Sequence, residues 1–254
     1  MDQKLQLDKD EGGELVDVTE YRCIVGSLRY LTHTRPDISY AVGVVSRFME
    51  QPTMKHNQAV KQILRYIKGT TNYGLSYARG WKNNELSGYT DSDLAGDVVD
   101  RRSTGGMCFY LNVNLISWAS QKQRVIALSS CEAEYIAATL AACQSIWLRG
   151  LLKEVSGQAV GSVTLCVDNK SAIELMKNPV LHGRSKHIDV RFHFIRECID
   201  RGELVVQYIS TQEQKAGILT KALGRVKFEA MRDLIGVVDL AVADGVQNSE
   251  KENV

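Results

Sequence analysis

The sequence predicts an α/β fold in which a mixed β-sheet carries flanking helices and follows a small helical segment. Three observations support this prediction. Apolar residues recur at helical spacing between residues 17 and 70. From residue 85 onward, short segments rich in Tyr, Phe, Ile and Trp are separated by Gly, Asp, Asn and Ser, as is typical of strands. Helical and strand patterns then alternate, which indicates helices packed on a sheet.

The composition is that of an ordinary globular protein of 254 residues, enough for one large domain or two small ones. A formal net charge of +1 neither favours nor excludes a polyanionic partner, because local patches matter more than the sum. The six cysteines include no CxxC pair, which indicates reduced thiols. Without a long apolar run or a signal-peptide core, we expect an intracellular protein, cytoplasmic or nuclear, with no membrane partner.

A three-helix segment is predicted at residues 17–82. Asp17-Val-Thr-Glu20 forms a capping box for its first helix. Pro36 suits the first turn of the second helix, and Pro52 precedes the third. The polar ends of the chain, residues 1–16 and 239–254, are predicted to be flexible.

The sheet-containing region is predicted at residues 83–238. Its first three strands form a meander, at 85–91, 106–111 and 115–119. The remaining elements alternate between helix and strand. They are a helix at 130–154, a strand at 162–168, helices at 170–177 and 188–201, a strand at 204–209 and a last helix within 218–235.

Three carboxylates stand at the edges of these elements, where they can converge. Asp91 ends the first strand of the meander, Glu134 lies in the first turn of the long helix, and Asp168 ends the next strand. Hard divalent cations such as Mg²⁺ prefer oxygen ligands of this kind. Taken singly, each acid has a structural explanation: a polar turn for Asp91, an N-cap for Asp168. Glu132 competes with Glu134 but stands at capping-box spacing from Ser129.

The order of these acids, and the sequence around them, resembles the RNase H domain of copia-type LTR retrotransposons. The matching segments are Gly88–Asp97, Arg101–Thr104, Ile116–Trp118, Ala127–Ala137, Ile146–Arg149, Asp168–Ala172 and Ser185–Glu197. Upstream, Tyr21–Leu31, Thr34–Ile38 and Leu64–Gly69 are similar to the end of the reverse transcriptase in the same polyprotein. Residues 17–82 are therefore interpreted as a helical remnant of the reverse transcriptase, and 83–238 as an RNase H-like domain.

The resemblance implies cleavage of the RNA strand of RNA–DNA hybrids by two Mg²⁺ ions, with Mn²⁺ as the alternative metal. It implies that Asp91, Glu134 and Asp168 are the catalytic metal ligands and that Asp91 bridges both ions. The implied partners are an RNA–DNA hybrid and other parts of a Pol polyprotein. No Tyr-x-Asp-Asp polymerase motif occurs in the sequence, so we expect no DNA synthesis.

The sequence departs from the family pattern at the fourth carboxylate. Where the family has a segment like Asp-Gln-Leu-Ala-Asp-Ile, this chain reads Glu213-Gln-Lys-Ala-Gly-Ile218, which places Gly217 at the missing ligand. Glu213 corresponds to a separate acidic position, so we do not expect it to substitute. We predict severely reduced or absent nuclease activity. The alternative is a catalytically inactive module of a decayed element that binds nucleic acid or another protein.

Two groups of basic residues are candidates for contact with the phosphates of a nucleic acid. A solvated helix face is the alternative interpretation for the first group. The candidates are Lys55, Lys61, Arg65 and Lys68 in the first group and Arg184, Lys186 and Arg191 in the second. For the neighbouring His182, His187 and His193 we expect packing and phosphate contacts, because no Cys or acid cluster completes a zinc site.

Overall fold

The structure is a computed structural model that describes residues 7–79, 85–158, 160–177 and 189–241, without the side chains of 189–192. The chain forms two compact units. The first, here called the helical unit, comprises Met1–Tyr77 and Ala222–Val254, and the second, the sheet unit, comprises Ala78–Lys221. Each unit has its own hydrophobic core.

The helical unit contains the three helices that the sequence predicts at its start. Its elements are α1 (Val18–Leu31), a 3₁₀ turn (Pro36–Ile38), α2 (Ser39–Val45), a 3₁₀ turn (Ser46–Phe48), α3 (Met54–Lys68), β1 (Tyr73–Leu75), α7 (Arg225–Ile235) and β7 (Val237–Asp239). The Asp17 side chain caps α1 by accepting a hydrogen bond from the Glu20 amide at 2.8 Å. Val25, Val45 and Val60 are fully buried in the core that these helices share.

Residues 7–16, which the sequence predicts to be flexible, pack against the start of α3. Leu7 is buried in the core of the helical unit. The ring nitrogen Nε2 of His56 lies 2.7 Å from the carbonyl oxygen of Asp8, and the Thr53 hydroxyl donates to the Asp10 carboxylate at 2.6 Å. Polar composition alone missed these contacts because they depend on buried partners some 45 residues away.

Residues 222–241 belong to the helical unit, although the sequence groups 83–238 together. β7 pairs with β1 in an antiparallel two-stranded sheet. The rings of Phe228 and Tyr66 meet edge to face at 5.4 Å, and the Arg232 guanidinium lies 4.3 Å from the centre of the Tyr73 ring. The boundaries of the two compact units therefore differ from those of the predicted segments. The interpretation of residues 17–82 as a remnant of the reverse transcriptase stays a prediction.

The sheet unit contains the five predicted strands and three of the predicted helices. Its elements are β2 (Leu86–Ser92), β3 (Thr104–Leu111), β4 (Asn114–Lys122), α4 (Ser130–Ser156), β5 (Val163–Val167), α5 (Lys170–Lys177), α6 (Asp189–Asp200), β6 (Leu204–Tyr208) and a 3₁₀ segment (Lys215–Leu219). The predicted helix at 218–235 is thus divided: the 3₁₀ segment lies in the sheet unit, and α7 begins only at Arg225.

The five strands form one mixed sheet in the order β4-β3-β2-β5-β6. β2, β3 and β4 are antiparallel neighbours, whereas β5 is parallel to both β2 and β6. This arrangement confirms the predicted fold class, a mixed sheet with flanking helices. Because β2 and β5 are parallel neighbours, their carboxyl ends meet at the same edge of the sheet, where Asp91 and Asp168 lie.

α4 is the core helix of the sheet unit. Tyr135 and Ile136 are buried with Phe109 and Leu165 of the sheet. A Cβ atom at Gly88 would lie 2.5 Å from the Phe109 ring, so only glycine fits there. Among the described residues, α4 also has the length and mean hydropathy (1.2) of a membrane span, but half of that window is buried inside the protein, as in the core helix of a globular domain.

Candidate metal centre

Asp91, Glu134 and Asp168 converge at the carboxyl ends of β2 and β5. Each offers a carboxylate oxygen, and these oxygens all lie within 4.8 Å of one another. Among the residues that the structure describes, they are the one group of His, Cys, Asp or Glu side chains close enough to hold a metal ion. We call them the acidic cluster. Asp91 and Glu134 are buried, and Asp168 is half-buried.

Glu132 and Glu134 have different tasks at the start of α4. The Ser129 hydroxyl accepts a hydrogen bond from the Glu132 amide at 3.1 Å, and the Glu132 carboxylate accepts one from the Leu128 amide at 3.0 Å. Glu132 therefore caps the first turn. Glu134 begins the second turn rather than the predicted first, and this position directs it to the acidic cluster.

The Glu134 carboxylate is poorly satisfied by the protein itself. Its Oε1 accepts a hydrogen bond from the Ser92 amide at 3.2 Å, but its Oε2 is buried without a hydrogen-bond partner among the described residues. Burial, followed by the charges of Asp91 and Asp168, raises the pKa of Glu134 to about 9. Burial and Asp91 likewise raise the pKa of Asp168. A buried oxygen without a donor, in a set made only of carboxylates, fits a hard divalent cation.

Two residues that the sequence did not single out contact Asp91. The Thr220 hydroxyl donates to Asp91 Oδ2, and the Lys221 ammonium lies 3.1 Å from the same oxygen. Burial opposes the charge of Lys221, but the acidic cluster, led by Asp91, outweighs it and raises the pKa of the ammonium. Sequence reasoning missed these contacts because Thr220 lies 129 residues from Asp91 along the chain and no local pattern marks it.

The 3₁₀ segment brings Gly217 close to the acidic cluster through Thr220. The Thr220 hydroxyl lies 3.2 Å from the carbonyl oxygen of Gly217, in addition to its contact with Asp91. The Gln214 side chain anchors the segment to β2 by donating to the Thr90 carbonyl at 2.9 Å. The Lys215 ammonium lies 4.0 Å from the centre of the Tyr110 ring. These contacts fix the segment on the sheet beside Asp91.

Gly106 allows this close approach. It is the β3 residue directly opposite Asp91. A Cβ atom at Gly106 would lie 2.7 Å from Thr220 Cγ2 and 2.8 Å from Leu219 Cβ. Any larger residue at Gly106 would push the 3₁₀ segment away from the sheet, and with it the hydroxyl that contacts Asp91.

The predicted basic residues fall into two sets. Lys61, Arg65 and Lys68 are exposed on one face of α3, and we call them the α3 basic stripe. Lys55 lies apart from them and forms an ion pair with Asp8 at 2.9 Å. The remaining candidates, Arg184, Lys186 and the side chain of Arg191, lie outside the described residues, as do His182 and His187.

No family model matches the chain, but curated proteins resemble it along most of its length. The chain is 48% identical over 229 residues to a retrovirus-related Pol polyprotein from transposon TNT 1-94 of Nicotiana tabacum, covering 90% of this chain and 17% of that protein. It is 45% identical over 226 residues to the Pol polyprotein from transposon RE1 of Arabidopsis thaliana, covering 89% and 15%. The chain belongs to the Pol polyproteins of copia-type retrotransposons. It spans about a sixth of the length of these relatives.

Solved structures resemble this part of a Pol polyprotein more distantly. LC11-RNase H1, isolated from compost, aligns with a TM-score of 0.42 and 18% identity, covering 60% of this chain and 99% of that one. The foamy viral protease-reverse transcriptase in complex with dsDNA aligns with a TM-score of 0.45 and 13% identity, covering 82% and 40%. The fold assignment rests on the strand order of the sheet unit rather than on these likenesses.

Proposed function

We propose that the sheet unit is a retrotransposon-derived RNase H domain whose inherited activity is endonucleolytic cleavage of RNA in RNA–DNA hybrids. The acidic cluster carries this proposal. Its three carboxylates meet at the edge of the sheet, and Glu134 Oε2 lacks a hydrogen-bond partner in the described part of the chain. The protein is then an intracellular one, in the cytoplasm or nucleus, and its partners are the hybrid and other parts of a Pol polyprotein.

Asp91, Glu134 and Asp168 are the proposed ligands of Mg²⁺ or Mn²⁺. When bound, the ions would supply an activated water and stabilise the leaving 3′ oxygen during in-line attack on the phosphate. The contribution of the chain is to hold three oxygens in fixed positions on rigid elements, β2, α4 and β5. Glu134 has a raised pKa, so it must lose its proton before it can act as a ligand.

Gly217 is the proposed cause of weak or absent activity. The 3₁₀ segment stands beside Asp91 but offers no carboxylate at this position. Mutation of a residue that only hydrogen-bonds to a metal ligand typically lowers metal affinity or activity about 10- to 100-fold. Loss of a ligand itself should lower them at least as much. The domain therefore keeps three of four expected ligands.

Recognition of the substrate is proposed to use the shape and 2′-hydroxyls of the hybrid rather than its sequence. The α3 basic stripe offers three exposed cations along one helix face for contact with phosphates. Lys55, Arg184, Lys186 and Arg191 complete the proposed set from the sequence. Such binding depends steeply on salt.

A second candidate function is a catalytically inactive module that still binds nucleic acid. The contact between Lys221 and Asp91 favours it, because an ammonium already partly neutralises the acidic cluster. Salt-dependent binding of a hybrid without cleavage would select this candidate over the nuclease.

The decisive experiment is a hybrid-cleavage assay in Mg²⁺ and in Mn²⁺. It compares the native chain with Gly217→Asp and with Gly217→Asp/Asp91→Asn. We expect cleavage to rise at least about tenfold in the first variant and to disappear in the second. Asp100→Asn in the Gly217→Asp background is the matched control, because Asp100 pairs with Lys122 and lies outside the acidic cluster. Equal cleavage by the native chain and Gly217→Asp would contradict the assigned defect.

A further inference from the structure

A lysine of the chain contacts Asp91, one of the three proposed metal ligands. The Lys221 ammonium lies 3.1 Å from Asp91 Oδ2, whose side chain is 2% exposed, while the Lys221 side chain is 38% exposed. The Thr220 hydroxyl donates to the same oxygen. One oxygen of Asp91 thus has a cation and a hydroxyl on it, both supplied by residues just after the 3₁₀ segment.

The charge of Lys221 acts on the whole acidic cluster. Its ammonium contacts Asp91, whose carboxylate lies within 4.8 Å of those of Glu134 and Asp168. Three carboxylates confined within 4.8 Å repel one another strongly unless positive charge lies among them. Lys221 supplies part of that charge without a metal. It does not satisfy the cluster completely, because Glu134 Oε2 has no partner among the described residues.

The missing fourth carboxylate and this lysine belong to the same stretch of chain. Thr220 is within hydrogen-bond distance of both Asp91 Oδ2 and the Gly217 carbonyl oxygen. Position 217, where the resemblance leads us to expect a fourth carboxylate, is a glycine, and the residues three and four positions later place a hydroxyl and an ammonium on Asp91. The charge of the site is therefore less favourable for a second divalent cation.

We propose that Lys221 is a built-in counter-ion that takes one cation position at Asp91, so that the chain binds a single divalent cation and binds it more weakly than its carboxylates alone would. This proposal rests on the proposed assignment of the acidic cluster as a metal site. It differs from an ordinary ion pair in one respect: Lys221 competes with the metal. A lysine that only stabilises the fold would leave metal affinity unchanged.

Calorimetric titration with Mn²⁺, on the full 254-residue chain without nucleic acid, tests the competition. We expect one Mn²⁺ per native chain. Lys221→Met should bind Mn²⁺ about tenfold more tightly, because the competing charge is gone. Lys221→Arg keeps the charge and should stay within about twofold of the native chain. Lys122→Met is the matched control, since Lys122 pairs with Asp97 at 2.7 Å and lies outside the acidic cluster.

Three results would overturn the counter-ion role: two Mn²⁺ ions on the native chain, equal affinities for the native chain and Lys221→Met, or no Mn²⁺ binding by either. If Lys221→Met does not fold, the number of Mn²⁺ ions bound by the native chain and the Mn²⁺ affinity of Lys221→Arg still test the counter-ion role. If Mn²⁺ binds as predicted but Gly217→Asp does not cleave the hybrid, the nuclease proposal fails and the counter-ion role of Lys221 stands. If Gly217→Asp cleaves the hybrid but the native chain and Lys221→Met bind Mn²⁺ equally, the nuclease proposal stands and the counter-ion role fails.

Discussion

Asp97 should stabilise the sheet unit in a pH-dependent way. It lies in the connection between β2 and β3, just beyond Asp91 in the chain. Its Oδ1 accepts hydrogen bonds from the amides of Val99 at 2.9 Å and Asp100 at 3.2 Å, and its Oδ2 lies 2.7 Å from the Lys122 ammonium. The residue is 5% exposed, so these contacts are hardly screened by solvent.

The size of the effect follows from the pKa of Asp97. Burial opposes its charge, but Lys122 and the two amides outweigh burial and lower the pKa from 3.8 to about 2. That decrease corresponds to about 2 kcal/mol of stability at neutral pH. Because the folded-state pKa is depressed, the contribution is complete above pH 3.8 and is lost as the pH falls towards 2.

Urea unfolding of the native chain and Asp97→Asn, at several pH values, measures this contribution. We expect the variant to be about 2 kcal/mol less stable from pH 7 to about pH 5, with the difference falling to about half by pH 3. Asp100→Asn is the matched control: Asp100 shares the Lys122 ammonium, but its side chain is 33% exposed, so its effect should stay below about 1 kcal/mol. A stability difference for Asp97→Asn that does not change between pH 7 and pH 3 would refute the electrostatic reasoning.

Three further predictions concern the site and the proposed substrate. Glu134→Gln should abolish stabilisation by Mn²⁺ in a melting-temperature assay, because it removes one of the three proposed ligands. In a chelator at neutral pH it should change the melting temperature little, because the pKa of Glu134 is raised to about 9 and the carboxyl is already uncharged there; stabilisation by Mn²⁺ equal to that of the native chain would contradict this. Gly106→Ala should lower the free energy of unfolding in urea by about 1–3 kcal/mol, because its Cβ would lie 2.7 Å from Thr220. Gly105→Ala is the control and should lower it less, because a Cβ there would have no neighbour closer than 3.4 Å; equal losses would refute the packing argument. Alanine at all three positions of the α3 basic stripe should weaken hybrid binding in a fluorescence-anisotropy titration and make the affinity depend less on salt concentration. An unchanged dependence of the affinity on salt would exclude phosphate contact by the stripe.

The sheet unit was predictable because its signals are local. Alternating apolar residues and polar turns define β2, β3 and β4 within short windows of sequence. The position of the acids at strand ends then follows from the parallel pairing of β2 and β5. Glu134 could be separated from Glu132 because the capping role of Glu132 is itself a local pattern.

The two-stranded sheet and the contacts to Asp91 were not predicted, because they join residues that are far apart in the sequence. β1 and β7 have three residues each, and their pairing joins Tyr73 to Asp239 across most of the chain. The contact of Thr220 and Lys221 with Asp91 needs the 3₁₀ segment to settle on the sheet, which Gly106 permits by lacking a side chain. No window of sequence around either partner contains that information.

A glycine at position 217, where we propose that a fourth carboxylate is missing, is compatible with a stable fold. An additional buried charge beside Asp91 would increase repulsion within the acidic cluster whenever no metal is bound. Gly217 removes that charge, while Lys221 and Thr220 stabilise the carboxylate that remains. The glycine that we propose as the cause of weak cleavage would therefore also reduce repulsion in the metal-free protein, so this sheet and this site geometry can persist without a bound metal.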